Sequence, residues 1–218
     1  MASGGEVRAG SDAGQPGSDD EFPFRDLDES NFCGRAHAMT VYSLVRPVHR
    51  RPPGGVLWLR LAFWFARTFR AGASGIRALS FIHFARWAVV PRIPDLGQPP
   101  EGIGHPLLLF ESNYNGTFHQ YIDAFAQILG PGMRRIWGTS YGFPGPVPVS
   151  PFQKYIRANE FAADHYYSAY PEASTTMVVS ALALHEPHRM FHERAATLTP
   201  PEFAEEYRRF LTTFQDHL

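Results

Sequence analysis

The chain has 218 residues, 44% of them hydrophobic and 14% aromatic, with a formal net charge of −1. That apolar supply excludes an intrinsically disordered protein and suits one domain of roughly 150 residues plus tails. The near-zero balance, with arginines spread thinly among Trp, Phe and Leu, argues against nucleic-acid binding, which needs clustered basic charge to neutralise phosphates.

Residues 1–38 read as a disordered acidic tail. The first thirty hold eight acids against two arginines and few large apolar side chains, too little to offset the entropy of ordering. Met39 begins MTVYSLVRP, which reads as an alternative open-reading-frame start. Nineteen of the 20 basic residues are Arg, with Lys154 alone as Lys, a bias expected of a GC-rich bacterial genome. The single cysteine, Cys33, excludes an intramolecular disulfide and, with no secretory signal pattern at the N-terminus, points to a cytoplasmic protein.

Residues 39–75 read as a basic amphipathic segment. From Asn31 to Pro94 there is no Asp or Glu but there are ten arginines. Within it, Val56 to Phe69 predicts a helix with Arg60 and Arg67 on one narrow polar stripe, and Leu57, Leu61, Phe65 and Phe69 over most of the remainder. At 1.5 Å per residue this helix reaches about 21 Å, short of the roughly 30 Å hydrocarbon core. The segment is therefore expected to dock, through Trp58, Arg60, Trp64 and Arg67, on an anionic membrane surface such as the inner membrane, on a protein partner, or on the protein's own sheet, with a homodimer as one form of partner.

Residues 76–218 read as an α+β domain. Leu79 to Val90 and Leu107 to Tyr114 predict two buried strands, the first stopped by Pro91 and Pro94 and the second closed by Asn115-Gly116. Thr117 caps a helix carrying Phe118, Tyr121, Ile122, Phe125, Ile128 and Leu129, with Gly130 as its stop. Met133 to Thr139 and Asp164 to Tyr170 predict two further strands, and a short helix carries Phe152, Tyr155 and Ile156. Two helices open near Ser174 and at Thr199-Pro200. The expected fold is a ferredoxin-like four-stranded antiparallel sheet with helices on one face, preceded by the amphipathic helix.

The blocks IHFARW (Ile82–Trp87), LLFESNYNG (Leu108–Gly116), IWGTSYGFP (Ile136–Pro144) and YSAYP (Tyr167–Pro171) resemble, in this order, an uncharacterised bacterial family sometimes joined to peroxidase-type domains. The resemblance implies a dimeric α+β-barrel type of ferredoxin-like fold and no particular activity. Asn115 stands where that family more often has Asp.

Polar groups inside apolar strands are costly unless paired or used, which singles out His83, Arg86, Glu111 and Asn113. If residue numbers on the two strands sum to 197, Arg86 faces Glu111, Val90 faces Leu107 and His83 faces Tyr114. That pair is either a structural clamp or part of a site to which Tyr141, Tyr166 and Tyr170 add an aromatic, proton-donating wall. The catalytic candidates are then His83, Arg86, Glu111 and Tyr170, and the ligand-binding ones Asn113, Tyr141 and Tyr166. They suit an accessory or ligand-binding protein, or alternatively an oxidoreductase-type enzyme of the dimeric α+β-barrel class acting on a small hydrophobic substrate. No motif demands a cofactor, and haem on His83 is the one alternative the pattern leaves open. His185, His188 and His192 have ligand-like spacing, but Pro187 should break their helix, so no metal site is expected. His119 and Asp123 could form an oriented pair, without a nucleophile nearby.

Overall fold

The computed structural model describes residues 30–47, 55–69, 79–100 and 102–217. The expected disorder of residues 1–29 and the expected boundary at residues 75/76 lie outside them. The chain runs β1 (Phe32–Cys33), β2 (Ala36–Leu44), α1 (Gly55–Phe69), β3 (Ile82–Val90), β4 (Leu107–Asn115), α2 (Phe118–Trp137), α3 (Val149–Asn159), β5 (Glu160–Phe161), α4 (Thr175–Ala195) and α5 (Pro200–Thr213), ending in a 3₁₀ turn, Gln215–His217.

The sheet is antiparallel throughout, in the order β1-β2-β4-β3, with β5 also on β2. β2, α1 and β3 form a split β-α-β unit with β4 inserted between the two strands, which is the ferredoxin-like pattern. It is trimmed here: the strand after the second helical layer is only two residues long and shares its edge with β1.

Two corrections to the sequence reading follow. The Ala36–Leu44 strand is central to the sheet, pairing with β4 from Ala36↔Asn115 to Leu44↔Leu107, so the folded body begins before residue 38. The apolar helix is likewise not a preceding appendage but the crossover between β2 and β3. In AHAMTVYSL, Met39, Val41 and Ser43 alternate with half-buried residues, the period-two signature of a strand with two different faces.

One face carries the core. Met39 and Val41 of β2 and Leu108, Phe110 and Tyr114 of β4 are at most 1% exposed. Ala85, Trp87 and Val89 of β3 join them. α2 covers this face through Phe118, Tyr121, Ile122, Phe125, Ala126, Met133 and Trp137, a helical i, i+3, i+4 stripe. α3 adds Phe152, Tyr155 and Ile156, and α1 adds Leu59.

α2 starts as expected, in a capping box of Thr117 and Gln120, but does not stop at Gly130. It continues through Pro131 to Trp137, replacing the strand expected at Met133 to Thr139. Met133 and Trp137 prolong the buried stripe, and burying them outweighs the hydrogen bond lost at Pro131. α4 runs through Pro187 in the same way. Apart from Thr175, no residue of α4 or α5 is buried. The two helices pack on each other through Phe191, Phe203, Tyr207 and Phe210, closed by the expected capping box of Thr199 and Glu202.

The segment from Ala162 to Ser174, expected to contain a strand at Asp164 to Tyr170, forms no ladder. It is a strap tied down at discrete points. Ala163 N–H donates to Asn31 Oδ1 at 2.7 Å, and Arg35 N–H donates to Pro171 O at 2.8 Å. Gly34, at φ +61°, makes the second tie possible, because a Cβ there would lie 2.0 Å from Pro171 O. Asn115 supplies a third. Its Oδ1 accepts from Thr175 N–H and Oγ1–H while its Nδ2 donates to Arg35 O. An Asp in that place could accept but not donate.

Candidate functional site

Two surfaces carry the residues singled out by the sequence: the outer side of α1 and the sheet face opposite the core.

On α1, Leu59 is fully buried and Phe63 packs against the core near Trp87, ring centroids 6.4 Å apart. At 100° per residue the opposite arc holds Leu57, Trp58, Leu61, Trp64 and Phe65. These remain 41–57% exposed. Trp58 is anchored at its polar edge, Nε1–H donating to Arg135 O at 2.9 Å. Arg60 and Arg67 are both exposed and border the arc on one side. The helix thus has two apolar faces, one turned to the core and the other about half-exposed. None of the described helices is long and apolar enough to cross a membrane.

The open sheet face presents Thr40 and Tyr42 from β2, Leu109, Glu111 and Asn113 from β4, and Phe84, Arg86 and Ala88 from β3. Arg86 is paired in register with Glu111 and forms an ion pair with it. The side chains are 64% and 25% exposed, so this is a wet clamp, not a desolvated one. Two residues along β4, Asn113 Nδ2–H donates to Tyr166 Oη at 2.7 Å. Burial raises the Tyr166 phenol above its ordinary value, the neighbouring Cys33 adds to this, and the Asn113 bond opposes it.

Other candidates lie elsewhere. His83 does not face Tyr114: the register shifts between Ile82 and Phe84, Ile82 takes the place opposite Tyr114, and His83 sits exposed in the irregularity. A bulge of this kind re-aims one side chain. Tyr141 belongs to the other end of the sheet, its N–H donating to Leu44 O, with its ring against His105 and under the Arg46 guanidinium. Leu44 and the Asn113 partner Ala38 are six residues apart on β2, about 20 Å at the rise of a strand. Tyr170 is 79% exposed on the strap. Asp123 accepts from Gln153 and not from His119. Among the described residues no group of three His, Cys, Asp or Glu is placed to hold a metal ion.

The sequence reading missed a buried polar pair. His37 Nδ1 and Tyr114 Oη are hydrogen-bonded at 2.9 Å, the His37 ring between those of Phe32 and Tyr114, with Tyr114 stacked on Tyr121 at 3.9 Å. Recognising the alternation of Ala36–Leu44 would have placed His37 opposite Tyr114.

Comparison with protein-family models, with curated proteins and with solved structures gives no match.

Proposed function

We propose that this chain is an accessory α+β protein that attaches peripherally, from the cytoplasmic side, to an anionic membrane surface through α1. The observation that carries the reading is the second apolar arc of α1, Leu57, Trp58, Leu61, Trp64 and Phe65, half-exposed on a helix whose other side is already docked. Trp and Leu at the headgroup boundary with Arg60 and Arg67 beside them suit an interfacial helix: apolar burial supplies affinity, and each arginine near an anionic surface adds about 1 kcal/mol. The acid-free composition from Asn31 to Pro94 removes the charges such a surface would repel. Against the oxidoreductase alternative stands the pairing of two catalytic candidates with each other, Glu111 with Arg86, and of two ligand-binding ones, Asn113 with Tyr166.

The test is co-sedimentation of the full chain with phosphatidylglycerol-rich vesicles and with phosphatidylcholine vesicles. Binding to the anionic vesicles should weaken with salt and with Arg60→Glu plus Arg67→Glu, and should vanish with Leu57→Glu plus Leu61→Glu, both of which leave Leu59 in place. Undiminished binding by the Leu57→Glu, Leu61→Glu variant, or no preference for the anionic vesicles, sinks the proposal.

A further inference from the structure

In the sequence, Pro187 stands between His185 and His188, where it should end a helix, and Arg189 and Arg194 stand beside the histidines, where they should repel a cation. The fold removes both objections. α4 is continuous from Thr175 to Ala195, so at 100° per residue His185, His188 and His192 share an arc of about 60° on its exposed side. Both arginines are engaged by carboxylates. Arg189 forms ion pairs with Glu186 and Glu193, and Arg194 reaches Glu206 of α5 at 3.2 Å.

Two of the three rings are brought together. His188 and His192, one turn apart, have ring centroids 6.3 Å apart and planes 15° from parallel. An edge contact with Phe210 of α5, centroids 6.4 Å apart, holds the His188 ring. Both imidazoles are exposed, and neither is hydrogen-bonded or ion-paired to any described residue. His185 stands a turn earlier, outside this ring pair.

Imidazole nitrogens suit Cu²⁺, Ni²⁺ and Zn²⁺ rather than Mg²⁺, and the i, i+4 spacing is how a single helical turn offers two of them to one ion. With metal–nitrogen bonds of about 2.1 Å, rings this close reach a shared ion by rotation about their own side-chain bonds. Water then fills the other positions.

We propose that His188 and His192 form a two-point chelate for a divalent transition-metal ion, Cu²⁺ most tightly. The consequence falls on Pro187. Lacking an N–H to donate to the Ala183 carbonyl, it leaves α4 one hydrogen bond short in its second half. An ion held across the next turn binds the helical form in preference to the frayed one, and so stiffens α4 beside that gap. The chelate is built from α4 alone and does not depend on membrane attachment.

The experiment is calorimetric titration of the full chain with CuCl₂, NiCl₂, ZnCl₂ and MgCl₂, followed by hydrogen exchange with and without Zn²⁺. The tightest Cu²⁺ site should be one-to-one, Ni²⁺ and Zn²⁺ should bind it more weakly, and Mg²⁺ should not bind. His192→Ala should weaken the site at least tenfold without changing the circular dichroism spectrum. His192→Cys, which restores a donor at the same spacing, should recover it, whereas His192→Ala plus Glu193→His, which moves the donor out of register, should not. Exchange of amides 188–195 should slow with Zn²⁺ in the parent and not in His192→Ala. Absence of one-to-one binding of all three transition metals, undiminished binding by His192→Ala or by the register-shifted variant, or exchange unaffected by bound Zn²⁺ would overturn the proposal.

Discussion

The two faces of β4 are made by the same nine residues yet live in different environments. Leu108, Phe110 and Tyr114 are sealed under α2 and α3, whereas Leu109, Glu111 and Asn113 on the alternate set are half-buried, with the strap reaching Asn113. The first set is where side-chain volume decides whether the protein folds. The second tolerates an ion pair, an amide and a phenol because water remains within reach. A strand with a clean alternation can therefore hold stability on one face while leaving the other free to vary.

The largest expected effect sharpens this contrast. Phe110→Ala should cost about 3–5 kcal/mol by opening a cavity among Trp87, Phe125 and Trp137, read as a fall in the urea midpoint. Leu109→Ala, one residue away, should cost under about 1.5 kcal/mol, because less area leaves water. Equal losses would mean that the open face is covered in solution.

Alkaline pH should act on the core side next. The Tyr121 and Tyr155 phenols are held above their ordinary value of 10.0, in both cases chiefly by burial. A raised folded-state pKa means that the native protein keeps a proton which the unfolded chain has released. Stability is thus intact below pH 10 and falls as pH rises beyond it. Tyrosinate absorbance from these two residues should appear together with loss of near-UV ellipticity. Ionisation without loss of structure would contradict their burial.

On the strap, Asn115→Ala should cost about 1–3 kcal/mol by leaving Thr175 and the Arg35 carbonyl short of partners, seen as faster proteolysis within residues 162–174. Asn115→Asp should fall between Ala and the parent, since it keeps the acceptor for Thr175. The smallest effect belongs to the open-face clamp. Glu111→Ala should shift stability by about 0–1 kcal/mol, the ordinary range for an exposed ion pair. A loss of several kcal/mol would show the pair to be desolvated after all.

The parts of this architecture that were legible in the sequence are those where local and tertiary demands agree. β3 and β4 are apolar runs bounded by prolines and Asn-Gly, and their lengths fix the register that pairs Arg86 with Glu111. Thr117, Ser174 and Thr199 cap helices where expected. Illegible were the places where packing overrides a local signal: the continuation of α2 past Gly130-Pro131-Gly132, and that of α4 past Pro187. Asp164 to Tyr170 has the composition of a strand but no ladder partner among the described residues, because Asn31, Asn115 and the Gly34 turn hold it from outside. β2 was lost for a different reason. Its alternation lies between an acidic segment and an apolar helix, and reading those two as appendages swept the strand between them out of the fold. Of the candidate site, the α1 arc and the Arg86–Glu111 clamp were visible, whereas the position of His83 depends on a bulge that no residue pattern announces.

The placement of β4 between β2 and β3 also governs the order in which the chain can assemble. His37 and Tyr114, which meet across β2 and β4, are 77 residues apart in sequence, so the centre of the sheet closes only after the whole α1 and β3 region has been made and brought back. α2 and the α4–α5 hairpin need only neighbours close in the chain. Loop-closure entropy then makes the β2–β4 pairing the slow step and local helix formation the fast one. During synthesis β2 must wait, its apolar set exposed, until residue 115 has left the ribosome. A nascent-chain series probed by protease should stay sensitive until β4 emerges, and become resistant only after α2 follows it.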